Sequence, residues 1–221
     1  MIMDGRLRGG MRRITVGLAL LQLLWFAGCI QMAANLLHVV NGPRVPAEFK
    51  GLDNHRVAVV CSNEMGICRD ESTIRLAGNI KGILISKLPK ATFVSQEEID
   101  QWVEGSSVSD DDLTAIGKGV KADYVLAVDM QKLQLRDGPT LYRGRSDLTL
   151  SVWDVQQNKP VFRKSLPDYS YPTMAGQSTT ETDEDKFRRV YLVNVADRLA
   201  RCFYAHDFGE DVAVDATILK Q

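Results

Sequence analysis

A chain of 221 residues, 45% apolar and 25% charged, has the composition of one folded domain plus a tail or linker. Its 27 basic and 28 acidic residues balance to −1. Residues 1–28 hold four arginines and one aspartate, so the remainder carries −4, which speaks against nucleic acid as a partner.

Arg6, Arg8, Arg12 and Arg13 precede an apolar run from Ile14 to Gly28. A basic leader orients such a segment with its head in the cytoplasm. The run is fifteen residues, broken by Thr15 and Gln22, and is short against the ~20 residues that cross a bilayer. Small residues Ala27 and Gly28 stand directly before Cys29, where a peptidase needs close access to the backbone.

Phe26-Ala27-Gly28-Cys29 resembles the lipobox of bacterial lipoproteins, departing from it at Phe26, where an aliphatic residue is usual. The resemblance implies cleavage before Cys29, acylation of its thiol and new amino group, and stable attachment through two or three acyl chains. Ile30 after the cysteine implies the outer membrane by the sorting rule of that family. An uncleaved anchor continuing through Val40 is the alternative, and Gln31, Asn35 and His38 make it poor membrane material. The expected organisation is a signal peptide over 1–28, an anchor and linker over 29–50, an α/β domain over 51–206 and a tail over 207–221.

In an oxidising compartment Cys61 and Cys68 are disulfide candidates. Closing their loop of eight residues stabilises by about 2.5 kcal/mol in the chain-entropy model. Cys202 reads as a buried thiol within a helical pattern. His38, His55 and His206 lack ligand spacing, so no metal is expected.

Arg56 to Cys61 is a continuous apolar run, as in a central strand covered on both faces. The loop Ser62 to Ser72 lacks both the glycine fingerprint and the Lys-Ser/Thr of phosphate loops, so neither nucleotide nor other cofactor is expected. Leu76, Ile80, Ile83, Leu84 and Leu88 predict a helix to Pro89, on which Gly78 and Gly82, four apart, either let a strand or another helix approach closely or pack tightly on the sheet. A short strand over Thr92 to Ser95 follows. Ser95-Gln96-Glu97-Glu98 predicts a capping box opening a helix with Ile99, Trp102 and Val103. Asp110, Asp111 and Asp112 read as helix-start acids rather than a metal site, with Gly119 as the C-cap.

Ala122 to Val128 predicts a strand running on through Leu133 and Leu135. Leu148, Leu150 and Val152 alternate with polar residues, and Val161 to Leu166 returns after a turn, giving an antiparallel meander. Pro167 to Asp183 reads as a long polar loop whose Tyr169 and Tyr171 are partner-contact candidates, with strand-end packing as the other reading. Asp183 to His206 predicts the longest helix, with Arg188, Arg189, Arg198 and Arg201 on a solvated face. The order predicts an α/β (α+β) fold: a mixed sheet of about five strands, β-α-β-α-β-β-β-α, with helices packed on it.

The joint Ile116-Gly117-Lys118-Gly119-Val120-Lys121-Ala122-Asp123-Tyr124-Val125-Leu126 resembles that of the TolB N-terminal domain and of LpoB-type and CsgG-type lipoproteins. Trp153-Asp154-Val155 before a polar turn is also similar to theirs. The resemblance spans residues 55–206 and implies a non-catalytic periplasmic module that binds other envelope proteins. Asp129 departs from the small residue common after that strand, and no ligand-binding residue carries over. The competing readings are an anchored hydrolase using Ser178, His206 and acids near Asp183, without a Gly-x-Ser-x-Gly elbow, and redox work by Cys61 and Cys68.

Overall fold

A computed structural model describes residues 44–106 and 112–207. The chain divides into two units, residues 1–44 with 207–209 and residues 45–206 with 210–221. In the first, Arg44 and Asp207 form an ion pair at 3.7 Å. Cys29, its flanking leader, Asp110, Asp111 and the tail beyond Asp207 lie outside the described residues.

The second unit is built on a seven-stranded mixed sheet. Strand β1 (Arg56–Asn63) turns through β2 (Gly66–Ile67) into helix α1 (Glu71–Lys87). Strand β3 (Thr92–Phe93), helix α2 (Gln96–Gly105) and helix α3 (Leu113–Gly119) follow. The meander is β4 (Tyr124–Arg136), β5 (Leu141–Asp154) and β6 (Lys159–Tyr171). Strand β7 (Gln177–Ser178) and helix α4 (Glu184–Ala200) close the order. The sheet runs β2-β1-β4-β5-β6, with β3 also on β1 and β7 also on β5. The β1–β3 and β1–β4 pairs are parallel and the meander is antiparallel, as the two crossovers and short turns require.

Strand alternation builds two cores. Val57, Val59, Leu126, Val128, Leu148 and Leu150 meet Leu76, Ile80 and Leu84 of α1 and Phe187, Tyr191, Val195 and Leu199 of α4. On the other face Ala58, Val60, Val125 and Ala127 meet Ile99 of α2 and Ile116 of α3. The first layer is held by long helices; α2 and α3 are short and belong to the β4–β5 end near Val155.

Several local expectations change in this frame. Ser95 caps α2 by accepting from the Glu98 amide at 3.2 Å, while the Glu98 carboxylate takes both oxygens to Arg56 Nη2 at 2.8 and 2.9 Å. A charge-assisted pair with the guanidinium outweighs a reach back to one amide. The reciprocal box forms instead at Asp70 and Thr73 ahead of α1. Asp112 caps α3, accepting from the Ala115 amide at 2.9 Å. The left-handed residue after α3 is Lys121, not Gly119; Gly119 is small because the Trp102 indole lies where its Cβ would be. Arg201 is 5% exposed and paired with Asp197, so it leaves the solvated face assigned to it.

Gly78 and Gly82 also differ from expectation. Nothing lies within 4 Å of a Cβ at either, so they do not pack on the sheet. They share the outer side of α1 with Ile74 and Ile85, which are 39% and 53% exposed.

Candidate functional site

Past Ala127 the second face of the sheet changes character. β4 continues on that face with Asp129 and Gln131, and β5 supplies Thr149, Ser151 and Trp153. The registers Ser62 to Asp129 and Asp129 to Thr149 set these side chains in one row across β1, β4 and β5. The next row places Ala127 opposite Ser151, and Ser151 opposite Arg163 of β6. Because strands alternate, apolar residues at the neighbouring positions hold the other core while these point into a cavity of about 320 Å³.

The lining is cross-braced. Asp129 Oδ1 accepts from Gln131 Nε2 at 2.6 Å and from Ser62 Oγ at 3.3 Å. Trp153 Nε1 donates to Ser151 Oγ at 3.2 Å, which fixes the indole plane. Among the lining residues one carboxylate, Asp129, and one guanidinium, Arg163, carry charge. Chemically this is a hydrogen-bonding wall beside an apolar floor, with no pair of convergent titratable groups. A second cavity of about 340 Å³ lies between Pro46, Lys50, Lys87 and Tyr204, where the Lys87 ammonium stands 5.3 Å from the tyrosine ring centre.

Residues singled out from sequence fall elsewhere. Tyr171 is 2% exposed and belongs to the helix-covered core, and Tyr169 packs against that core with its ring 6.3 Å from Tyr191. Tyr171 is buried and Tyr169 half-buried because β6 runs on to Tyr171 where a loop was expected. Tyr171 is thus packed at the strand end, and Tyr169 packs there in part. In place of a bridge, Cys61 and Cys68 are free thiols. The Cys68 amide donates to the Cys61 carbonyl at 2.8 Å, yet Cys61 lies in the first core and Cys68 packs against the second. The left-handed backbone of Cys68, with φ of 49°, breaks the alternation that would put both on one face.

The hydrolase candidates have other uses. Asp183 caps α4 by accepting from the Lys186 amide at 2.7 Å, Ser178 bonds the Thr180 hydroxyl at 2.8 Å, and His206 Nδ1 lies 3.3 Å from the Tyr204 carbonyl. Among the described residues no group of three or more His, Cys, Asp or Glu side chains is placed to hold a metal, and no helix is long and apolar enough to cross a membrane.

Burial pushes the Cys61 thiol well above its ordinary value, with Cys68 and Asp70 adding to the rise. It also raises Cys68 and Cys202, and raises Tyr191 strongly against a smaller opposing effect of the Ser146 hydrogen bond. All four hold their protons to higher pH when folded than in the unfolded chain, where ionisation sets in at about pH 8.5 for the thiols and about 10 for the phenol. Their contribution to stability is therefore complete below about pH 8.5 and is lost as pH rises towards the folded values. Thermal melts from pH 7 to 11 should show a falling midpoint above about pH 8.5 that steepens above about 10. Replacing the three thiols by alanine should delay the fall to about pH 10; an unchanged onset would contradict the assignment.

No protein-family model matches the chain, and no curated protein matches it. Solved structures similar to it include a PelC dodecamer from Paraburkholderia phytofirmans, at 8% identity and TM-score 0.41, covering 73% of this chain and 97% of that one. Lipoprotein GNA1162 from Neisseria meningitidis is 12% identical at TM-score 0.42, over 66% and 97%. LpoB of E. coli is 14% identical at TM-score 0.40, over 58% and 60%. The LpoB type is thus one of the resembled families that the structural likeness also reaches, and at these identities and scores the likeness carries no argument about function.

Proposed function

We propose that this protein is a non-catalytic lipoprotein of the cell envelope, anchored through acylated Cys29, whose folded domain serves as a protein-interaction or assembly module. In this reading it sits on the periplasmic side, at the outer membrane by the residue after Cys29, and serves as an auxiliary subunit of an envelope or transport complex. The leader and its Ala27-Gly28-Cys29 ending support the anchor. The observation that carries the interaction role is the outer side of α1, where Ile74 and Ile85 are exposed and Gly78 and Gly82 between them add no side chains. An exposed aliphatic surface on a helix, uncovered by any of the described residues, is the kind of surface a partner removes from water.

The test is isolation of the acylated protein from membranes with its bound proteins, beside Cys29→Ala and Ile85→Glu variants. The Cys29→Ala protein should leave the membrane fraction. Ile85→Glu should stay in it and lose the co-purifying proteins, at an unchanged melting temperature because Ile85 is exposed. Nothing co-purifying above the Cys29→Ala control would end the interaction reading. An intact, unacylated leader by mass spectrometry would end the anchored one.

A further inference from the structure

The cavity on the second face of the sheet has a chemistry that the interaction reading does not use. By register, Ala127, Ser151 and Arg163 form the middle row of the lining, Trp153 with Pro160 lies beyond it at one end, and Ser62, Asp129 and Thr149, followed by Gln131, lie at the other. We propose that it is a binding site for a neutral saccharide, taken as a unit of an oligosaccharide chain.

Three features select that ligand class. The first is polarity by side. A sugar ring has an apolar face of C–H groups and an edge of hydroxyls, and the cavity offers the Trp153 indole at one end of the sheet rows and the Ser62, Asp129 and Thr149 row at the other. The second is the kind of hydrogen bond available. Ser62 and Thr149 hydroxyls both donate and accept, as does the Gln131 amide, and both internal bonds to Asp129 fall on Oδ1. Among the described residues that arrangement leaves Asp129 Oδ2 for a donor such as a sugar hydroxyl, already oriented because Oδ1 is held. The third is charge. One carboxylate and one guanidinium line the site, so it favours neither a polyanion nor a polycation.

An extended peptide fits less well. The main chains of β4 and β5 are committed to sheet ladders on both sides, and β1 is paired on both sides at Ser62, leaving side chains rather than backbone groups to meet a ligand at the centre of the cavity. The volume, about 320 Å³, is at the small end of ligand pockets and suits one or two rings rather than a folded partner. Bracing by Ser62, Gln131 and the Trp153–Ser151 bond means little ordering is required on binding.

The experiment is calorimetric titration of the full-length protein, held in micelles of a phosphocholine detergent so that no sugar headgroup competes. The probes are cellobiose, maltose and N,N′-diacetylchitobiose, with digalacturonate as the charged comparison. At least one neutral disaccharide should bind saturably, and Asp129→Asn should weaken it about tenfold, the loss of one charge-assisted hydrogen bond of about 1.4 kcal/mol. Thr149→Val, which keeps shape and removes the hydroxyl, should weaken it several-fold at an unchanged melting temperature. Absence of binding by all three neutral probes, tighter binding of digalacturonate, or equal affinity in both variants would overturn the proposal. Loss of co-purifying proteins in Ile85→Glu leaves this titration unaffected, so the two readings fail separately.

Discussion

Replacing Tyr191 by alanine should unfold this domain at ordinary temperature or come close to it. The side chain is fully buried in the helix-covered core. Truncating a buried aromatic ring typically costs about 3–5 kcal/mol, a large part of the ~5–15 kcal/mol that holds a domain together. The hydroxyl adds a second, separable effect. It lies 2.7 Å from the Ser146 hydroxyl, itself buried, and donates to the Tyr169 carbonyl at 3.3 Å. Tyr191→Phe keeps the ring and leaves those partners short of a bond, costing about 1–3 kcal/mol.

Gly144 tests the same contact from the sheet side. The Tyr191 ring occupies the place of its Cβ, with two ring carbons overlapping that position and a third 2.6 Å from it. A methyl there cannot be absorbed, because Tyr191 is packed by neighbours and tied at its hydroxyl. Gly144→Ala should cost about 1–3 kcal/mol or more by overpacking. Combined with Tyr191→Ala the cost should fall well below the sum, since the second change opens the space that the first fills. Denaturant melts of the four variants give the ordering: Tyr191→Ala largest, then Gly144→Ala and Tyr191→Phe. Independent, additive losses would mean that Tyr191 and Gly144 do not share one site.

Much of this core is visible in the pattern of the chain. Leu76, Ile80 and Leu84 recur at helical spacing and Leu148, Leu150 and Val152 at strand spacing, and each set lies in the core that the spacing implies. Tyr171 escapes because the phase of β6 changes inside the strand. Leu148 opposes Leu166, while Ser146 opposes Tyr169, so β6 has one residue more than β5 in that interval. Asp168, with φ of 50°, lies in the bulge. Before it, Phe162 and Leu166 face the core at even numbers; after it, Tyr169 and Tyr171 do so at odd ones. A fixed period of two therefore assigns both tyrosines to solvent. The fate of Glu98 is hidden for another reason. Its carboxylate has an acceptable local partner in the sequence, and Arg56 is brought to it by the sheet.

The cavity is illegible in the same sense. Thr149 and Ser151 read as the polar side of a half-buried strand, and Asp129 and Gln131 are ordinary alone. Only the register that sets Ser62, Asp129 and Thr149 abreast turns them into one wall. The departure of Asp129 from the resembled families is the single sign of it within the chain.

A second large effect is expected where α3 meets the sheet. A Cβ on Gly117 would overlap a Val155 methyl and lie 2.8 Å from a Val125 methyl, and one on Gly119 would enter the Trp102 indole. Two small residues thus let one short helix close against β4 and β5 on one side and α2 on the other. Gly117→Val should push α3 off the sheet and expose Ile116 and Val125, costing about 1–3 kcal/mol or more. Gly119→Val should act by displacing Trp102, which is only partly buried, and should cost less than Gly117→Val. The same helix carries Leu113, which lines the cavity beside Trp153. Gly117→Val should therefore change Trp153 fluorescence and any disaccharide affinity together with stability, whereas Gly144→Ala, on the opposite face, should lower stability and leave the cavity's affinity as it was in the fraction that remains folded. Equal effects of the two glycine variants on affinity would mean that the cavity is not shaped by α3.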